Sequence, residues 1–214
     1  MKTFYLTCAI DYPNGEPHLG HAFEKIGADC IARFKRLQGY EVFFSTGVDE
    51  NSLNVARTAR EAGRDPQEFI DDLSPRFNAL WKNLNISADV FVRTTEPRHI
   101  EASREFFRRA HDNGDIYKGK YEGWYCLSCE SYYPDADLAD GMCPVHGTKP
   151  EWLSEENYFF ALSKYQDRLL DHFEKNPDFV RPEFRRNEVL NFIKDGLRDF
   201  SVSRAGADWG IPVP

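Results

Sequence analysis

The chain has 214 residues, of which 41% are hydrophobic and 29% charged, and its formal net charge is −8 at pH 7. A chain of this size buries roughly 70% of its unfolded surface, enough for one large domain, or one with an insertion, without a disulfide scaffold. Runs of ~18 apolar residues, the signature of a membrane span, are absent, no signal-peptide pattern opens the chain, and the acidic balance excludes nucleic-acid binding by bulk charge.

An apolar run over residues 4–10 reads as a first strand, and Tyr12-Pro13-Asn14-Gly15-Glu16-Pro17 as a loop of turn formers. His18-Leu19-Gly20-His21 then opens a helix over residues 19–37. Two imidazoles at a helix N-terminus, where unpaired N–H groups and the dipole favour an anion, suit a phosphate site. Gly20 lacks a Cβ and lets a bulky ligand approach the backbone. Phe23, Ile26, Cys30, Phe34 and Leu37 recur at helical spacing and are expected to face the core. Cys8 and Cys30 are expected to be buried packing residues, and Arg33, Lys35 and Arg36 a solvated face. A second strand over residues 41–46 is almost continuously apolar, as in a parallel strand covered on both sides.

Gly47-Val48-Asp49-Glu50-Asn51-Ser52 follows at the carboxyl end of that strand, where ligands gather in open α/β sheets. Two readings of Asp49 and Glu50 stand side by side: acids that hold a substrate ammonium or a metal, and the N-cap of the next helix. Asp65-Pro66 starts a further helix and Ser74-Pro75 is expected to restart it, with Trp81 and Leu84 in the core. Residues 90–93 form a third strand, and a helix carrying Ile100, Phe106, Phe107 and Ala110 runs to Asn113-Gly114. Strand and helix alternate three times, so a parallel sheet with helices on its faces is expected.

The texture then changes to aromatic, Gly-rich stretches over residues 117–133 that suit antiparallel hairpins. Within and after them lie Cys126-Leu127-Ser128-Cys129 and Cys143-Pro144-Val145-His146. Two C-x2-C/H knuckles at this separation match a tetrahedral Cys₃His zinc site, and with all four positions filled the site is structural rather than catalytic. The five cysteines are thus better suited to a metal and a reducing cytoplasm than to disulfides. Residues 157–160 read as a short strand and residues 162–175 as a helix with Leu169, Leu170 and Phe173 inward. Arg181, Arg185 and Arg186 form a charge run, read first as a solvated face and second as a phosphate contact. An extended tail ends at Trp209-Gly210-Ile211-Pro212-Val213-Pro214.

Taken together, Cys8-Ala9-Ile10-Asp11-Tyr12-Pro13-Asn14-Gly15 leading into His18-Leu19-Gly20-His21 resembles the signature of class I aminoacyl-tRNA synthetases in their methionyl form. The stretch from Gly39 to Glu50, the zinc knuckle, Asn157-Tyr158-Phe159-Phe160, Arg186-Asn187-Glu188 and Trp209-Gly210-Ile211-Pro212 resemble the same family in order, so the likeness covers nearly the whole chain. It implies an α/β fold: the first half of a Rossmann-like parallel sheet (residues 1–115), an inserted connective domain (116–200, knuckle about 121–150) and a return segment (201–214). It also implies a ligase that activates methionine with ATP and Mg²⁺ to methionyl-adenylate and charges tRNA(Met), with no membrane partner and an open oligomeric state. His18, Gly20 and His21 would serve ATP, with the two histidines catalytic, while Ile10, Tyr12 and Asp49 would serve methionine. Cys126, Cys129, Cys143 and His146 would hold structural Zn²⁺.

Two departures accompany the resemblance. Asn51-Ser52 stands where the family commonly has His-Gly, and the second signature, Lys-Met-Ser-Lys-Ser, is absent. The chain is therefore expected to be an N-terminal part that folds and binds zinc but activates methionine weakly or not at all. Two other classes compete: a different H-x-G-H nucleotidyltransferase, which needs neither knuckle nor tail, and a non-catalytic zinc module that binds RNA, which the acidic charge disfavours.

Overall fold

Three strands pair side by side in parallel: β1 (Thr3–Thr7), β2 (Glu41–Val48) and β3 (Val90–Arg93), in the order β1-β2-β3. Between them run α1 (Leu19–Leu37), α2 (Leu53–Glu61) and α3 (Pro66–Asn83), which gives the mixed α/β arrangement anticipated from the alternation of elements. The computed structural model describes residues 2–129, 131–205 and 208–214. It divides into one unit of Met1–Arg104 with Asp208–Pro212 and a second of Glu105–Ala207 with Val213–Pro214.

In the first unit Ala22, Val48, Leu73, Phe77 and Trp81 make the core, joined by Phe69, Leu80, Ile86 and Phe91. Gly47 brings β2 and β3 together: a Cβ there would lie 2.2 Å from the Val92 carbonyl oxygen, so any side chain would force the strands apart. α3 is one helix, not two, with Pro75 inside it. An interior proline costs about 3 kcal/mol. Leu73 and Phe77, on either side, both reach the same core, and Ser74 is fully buried, so packing outweighs that cost.

The expected inward stripe of α1 faces out instead. Phe23 is 81% and Leu37 86% exposed, Ile26 and Phe34 are also exposed, and Cys30 is exposed while Cys8 is half-buried. The face turned inward carries Ala22, Lys25, Asp29 and Ala32. Polar anchors decide this orientation. Asp29 accepts the Ser87 N–H at 2.8 Å, Arg33 donates to Asp29 and to the Asn85 carbonyl, and Arg36 donates to Ser87 and Asp89. Arg33 and Arg36 are therefore loop anchors rather than a purely solvated face. Leu6, Cys8, Phe23, Ile26 and Ile31 line an open groove of about 390 Å³ on the outward side. Phe43 of β2 is likewise 52% exposed, so β2 is not covered on both faces over its first half.

The second unit contains the second half of α4 (Pro97–Asp112) and an antiparallel sheet in the order β5-β4-β6-β7. It joins β4 (Ile116–Cys126), β5 (Ser131–Tyr133), β6 (Glu151–Phe160) and β7 (Phe200–Ser201). The long pair runs from Ile116 opposite Phe160 to Tyr125 opposite Glu151. α5 (Gln166–Lys175) and α6 (Glu183–Lys194) pack through Phe173, Ile193 and Leu197, with Leu169 and Leu170 half-buried beside them. A 3₁₀ turn at Leu162–Tyr165 precedes α5, where the sequence pattern suggests continuous helix.

Asp115, at the head of β4, is almost fully buried and ties this unit together. The Lys164 ammonium, with Tyr165 and Asn113 as further donors, holds its carboxyl well below the usual carboxylate range. A carboxyl depressed in the folded state stabilises above its unfolded pKa of about 4, and that contribution is lost as the pH falls through the folded value. Urea midpoints measured from pH 6 down to pH 3 should therefore fall less steeply in Asp115→Asn than in the wild type. Identical acid limbs would show that Asp115 carries none of the dependence.

Candidate active site and metal centre

The first turn of α1 is capped by two imidazoles. His18 is the N-cap, with extended backbone at φ −132°, and its Nδ1 accepts the Gly20 N–H at 3.1 Å. His21, three positions on, accepts the His18 N–H on its own Nδ1 at 3.2 Å. This is the reciprocal geometry of a capping box, with histidines in place of the usual Ser/Thr and Glu. The rings stack with centroids 3.7 Å apart, and His21 also meets Phe77. Each Nδ1 acts as an acceptor, so the neutral rings carry their proton on Nε2, which leaves two N–H donors for a ligand. Burial lowers the His21 pKa, against the opposing pull of Asp11, and favours that neutral form.

A Cβ on Gly20 would lie 3.0 Å from the His18 ring, so the missing side chain first of all makes room for the cap. The signal for this was present in the sequence, since H-x-x-H at a helix start has the spacing of N-cap and N3. Ile10 and Tyr12 lie on the loop after β1, 39% and 49% exposed. Asp49, half-buried, follows β2, and its N–H donates to the Asp11 carbonyl at 2.8 Å. Asp11 in turn donates to the Gly47 carbonyl at 3.1 Å. The two strand ends thus bring Ile10, Tyr12 and Asp49 onto adjoining segments beside α1.

Neither Asp49 nor Glu50 caps α2. Ser52 does, accepting the Asn54 N–H at 3.1 Å, and Asn51 donates to the Thr94 carbonyl at 3.0 Å. Asn51 and Ser52, the pair that departs from the family pattern here, therefore both have structural work. Glu50 is fully buried, with Oε1 accepting from Ser74 and Arg93 and Oε2 from the Thr95 hydroxyl and N–H. Its N–H donates to Thr94 Oγ1 and its carbonyl accepts the Trp209 indole N–H at 2.7 Å. Glu50 is an anchor for the turn that carries Asp49. The neighbouring ion pair Arg60–Asp208 also holds the tail, and nothing in the sequence pattern pointed to this docking of Trp209.

In the second unit the ligand atoms of Cys126, Cys129, Cys143 and His146 lie within 4.8 Å of one another. Zn–S bonds of 2.3 Å in a tetrahedron place sulfurs roughly 3.8 Å apart, and the Cys129 and Cys143 sulfurs are 3.5 Å apart. Burial opposes a charge on Cys143, but the His146 and Val145 N–H groups aimed at its sulfur lower its pKa. The backbone thus favours a thiolate where a metal would need one. Arg181 and Arg185 make exposed pairs with Asp178 and Glu188, and Arg186 donates to the Phe173 carbonyl. Among the described residues no helix is long and apolar enough to cross a membrane.

The profile of a family described as "tRNA synthetases class I (M)" matches residues 4–145 and 135–214. The chain belongs to this family. Members similar to it include the methionine–tRNA ligase of Caldanaerobacter subterraneus subsp. tengcongensis, 50% identical across 100% of this chain and 33% of its own. That of Thermosynechococcus vestitus is 52% identical across 99% of this chain and 40% of its own. The structure of Mycobacterium tuberculosis methionyl-tRNA synthetase in complex with methionyl-adenylate superposes with a TM-score of 0.95 at 48% identity, covering 100% of this chain and 43% of that one. The synthetase fold is therefore present here, and this chain spans about a third to two-fifths of its curated relatives.

Proposed function

We infer that this chain carries the first half of a methionine-activating site, as in a methionine–tRNA ligase. The observation that carries this reading is the stacked His18–His21 cap on α1, the same helix whose Lys25 holds Asp11 between Ile10 and Tyr12. A methionine carboxylate oxygen attacks the α-phosphorus of ATP, the bond to pyrophosphate breaks, and methionyl-adenylate remains. Such a reaction needs positioning and charge stabilisation more than covalent help. The Nε2–H groups of His18 and His21 donate to the phosphates next to Gly20, and ATP arrives as its Mg²⁺ complex. Ile10 and Tyr12 line the side-chain pocket and Asp49 receives the ammonium. The aminoacyl group then passes to tRNA(Met).

The domain limits we assign are residues 1–115 for the first half of the nucleotide fold, 116–200 for the insertion with its knuckle, and 201–214 for the return segment. Cys126, Cys129, Cys143 and His146 would hold Zn²⁺, which would stabilise the knuckle. Thiolate ligands suit a cytoplasmic setting.

Methionine-dependent ATP–pyrophosphate exchange and methionine calorimetry on the zinc-loaded chain test the reading. His21→Ala should lower methionine-dependent exchange by about 10²–10³-fold, the usual cost of one oriented donor. A folded chain that neither binds methionine nor exchanges, or that transfers the nucleotide to another substrate, would sink it.

A further inference from the structure

Lys25 is fully buried, although lysine is among the residues least often found inside. Its ammonium donates to the Ala9 carbonyl at 2.8 Å, to Asp11 Oδ1 at 2.6 Å and to Glu24 Oε2 at 3.4 Å. All three protons are used, which is what a charge so far from water requires. Glu24 also accepts the Ala9 N–H on Oε1 at 2.7 Å. Two consecutive residues of α1 thereby grip both polar groups of one loop residue.

The constraint is passed on. Asp11 is held by Lys25 through its side chain, by Gly47 through its N–H and by Asp49 through its carbonyl. Ile10 is flanked by Ala9 and Asp11, each fixed at more than one point. The helix that does the gripping is the one whose first turn carries His18 and His21. A displacement of about 1 Å between reacting groups is enough to cost two orders of magnitude in rate.

We propose that Glu24 and Lys25 are positioning residues, a clamp that sets the amino-acid subsite of Ile10, Tyr12 and Asp49 in register with the two imidazoles. The inference rests on the reading of those three residues as the methionine subsite. Glu24 is the better residue to vary, because its side chain is 43% exposed and its loss opens no core cavity.

The test compares Glu24→Ala and Glu24→Gln with wild type in the zinc-loaded chain, by amide hydrogen exchange and by calorimetry with methionine and with ATP. In Glu24→Ala, exchange at Ala9, Asp11 and Asp49 should rise about tenfold while that of Phe44 in β2 stays put. Methionine should bind about tenfold more weakly, with ATP affinity unchanged. Glu24→Gln keeps an acceptor for the Ala9 N–H but turns its N–H₂ toward the Lys25 ammonium, so it should fall between Glu24→Ala and wild type in both. Unchanged exchange at Asp11 and Asp49 would overturn the clamp, as would raised exchange with unaltered methionine affinity. If wild type binds no methionine, the subsite reading falls while the exchange result still decides whether the clamp exists.

Discussion

Glu50→Gln is expected to destabilise the first unit by about 3 kcal/mol, the low end of the cost of breaking a buried ion pair. The residue has no exposed surface and its two oxygens meet only donors: Ser74, Arg93 and Thr95. A glutamine would turn an N–H₂ toward one of them and leave a donor facing a donor. The low end applies because the Arg93 side chain is 25% exposed and keeps Asp71 as a partner. Urea unfolding of the two proteins, with m-values compared, gives the difference. A change below about 1 kcal/mol, the level of an exposed pair, would mean that Glu50 does not anchor the turn. On the reading of Asp49 as a methionine contact, methionine affinity should fall along with stability, since the two residues are adjacent.

Removal of zinc should have the larger effect. Structural zinc binds small knuckles with apparent free energies of about 10–16 kcal/mol, and a site of this kind is coupled to folding. On the reading of Cys126, Cys129, Cys143 and His146 as ligands, a strong chelator should melt the segment from β5 to the start of β6. Near-UV circular dichroism reports this directly, because Trp124 and Trp152 meet edge to face at 5.2 Å across β4 and β6. The signal should collapse with chelator and return with added Zn²⁺, and Cys143→Ser should neither retain the ion nor show the response. One zinc per chain is expected from a colorimetric release assay. A chain purified without zinc whose near-UV spectrum ignores both chelator and added metal would refute the assignment.

Much of this molecule follows from local pattern. The bounds of α1, the parallel alternation, the turn after β2 and the two cysteine pairs are all written in short stretches of sequence. Turn residues, caps and chelate spacing act over a few positions, and so they can be read without knowing what packs where. The family likeness rests on the same short motifs.

Which face of an element is covered is another matter. Periodicity marks the apolar stripe of α1, yet Phe23 and Leu37 face outward while Lys25 and Asp29 face in. The choice is made by partners far along the chain: Asp11 for Lys25, and Ser87 for Asp29. Glu50 and Asp49 are adjacent acids with the same apparent prospects, and Ser74, Arg93 and Thr95, brought close only by folding, make the first an anchor. Pro75 reads locally as a helix break, but Leu73 and Phe77 share one core across it. By itself the sequence pointed to most of the elements, the Cys/His cluster and the family. Only the tertiary structure decided which polar groups are buried, because a buried charge is stable only where distant residues supply its partners.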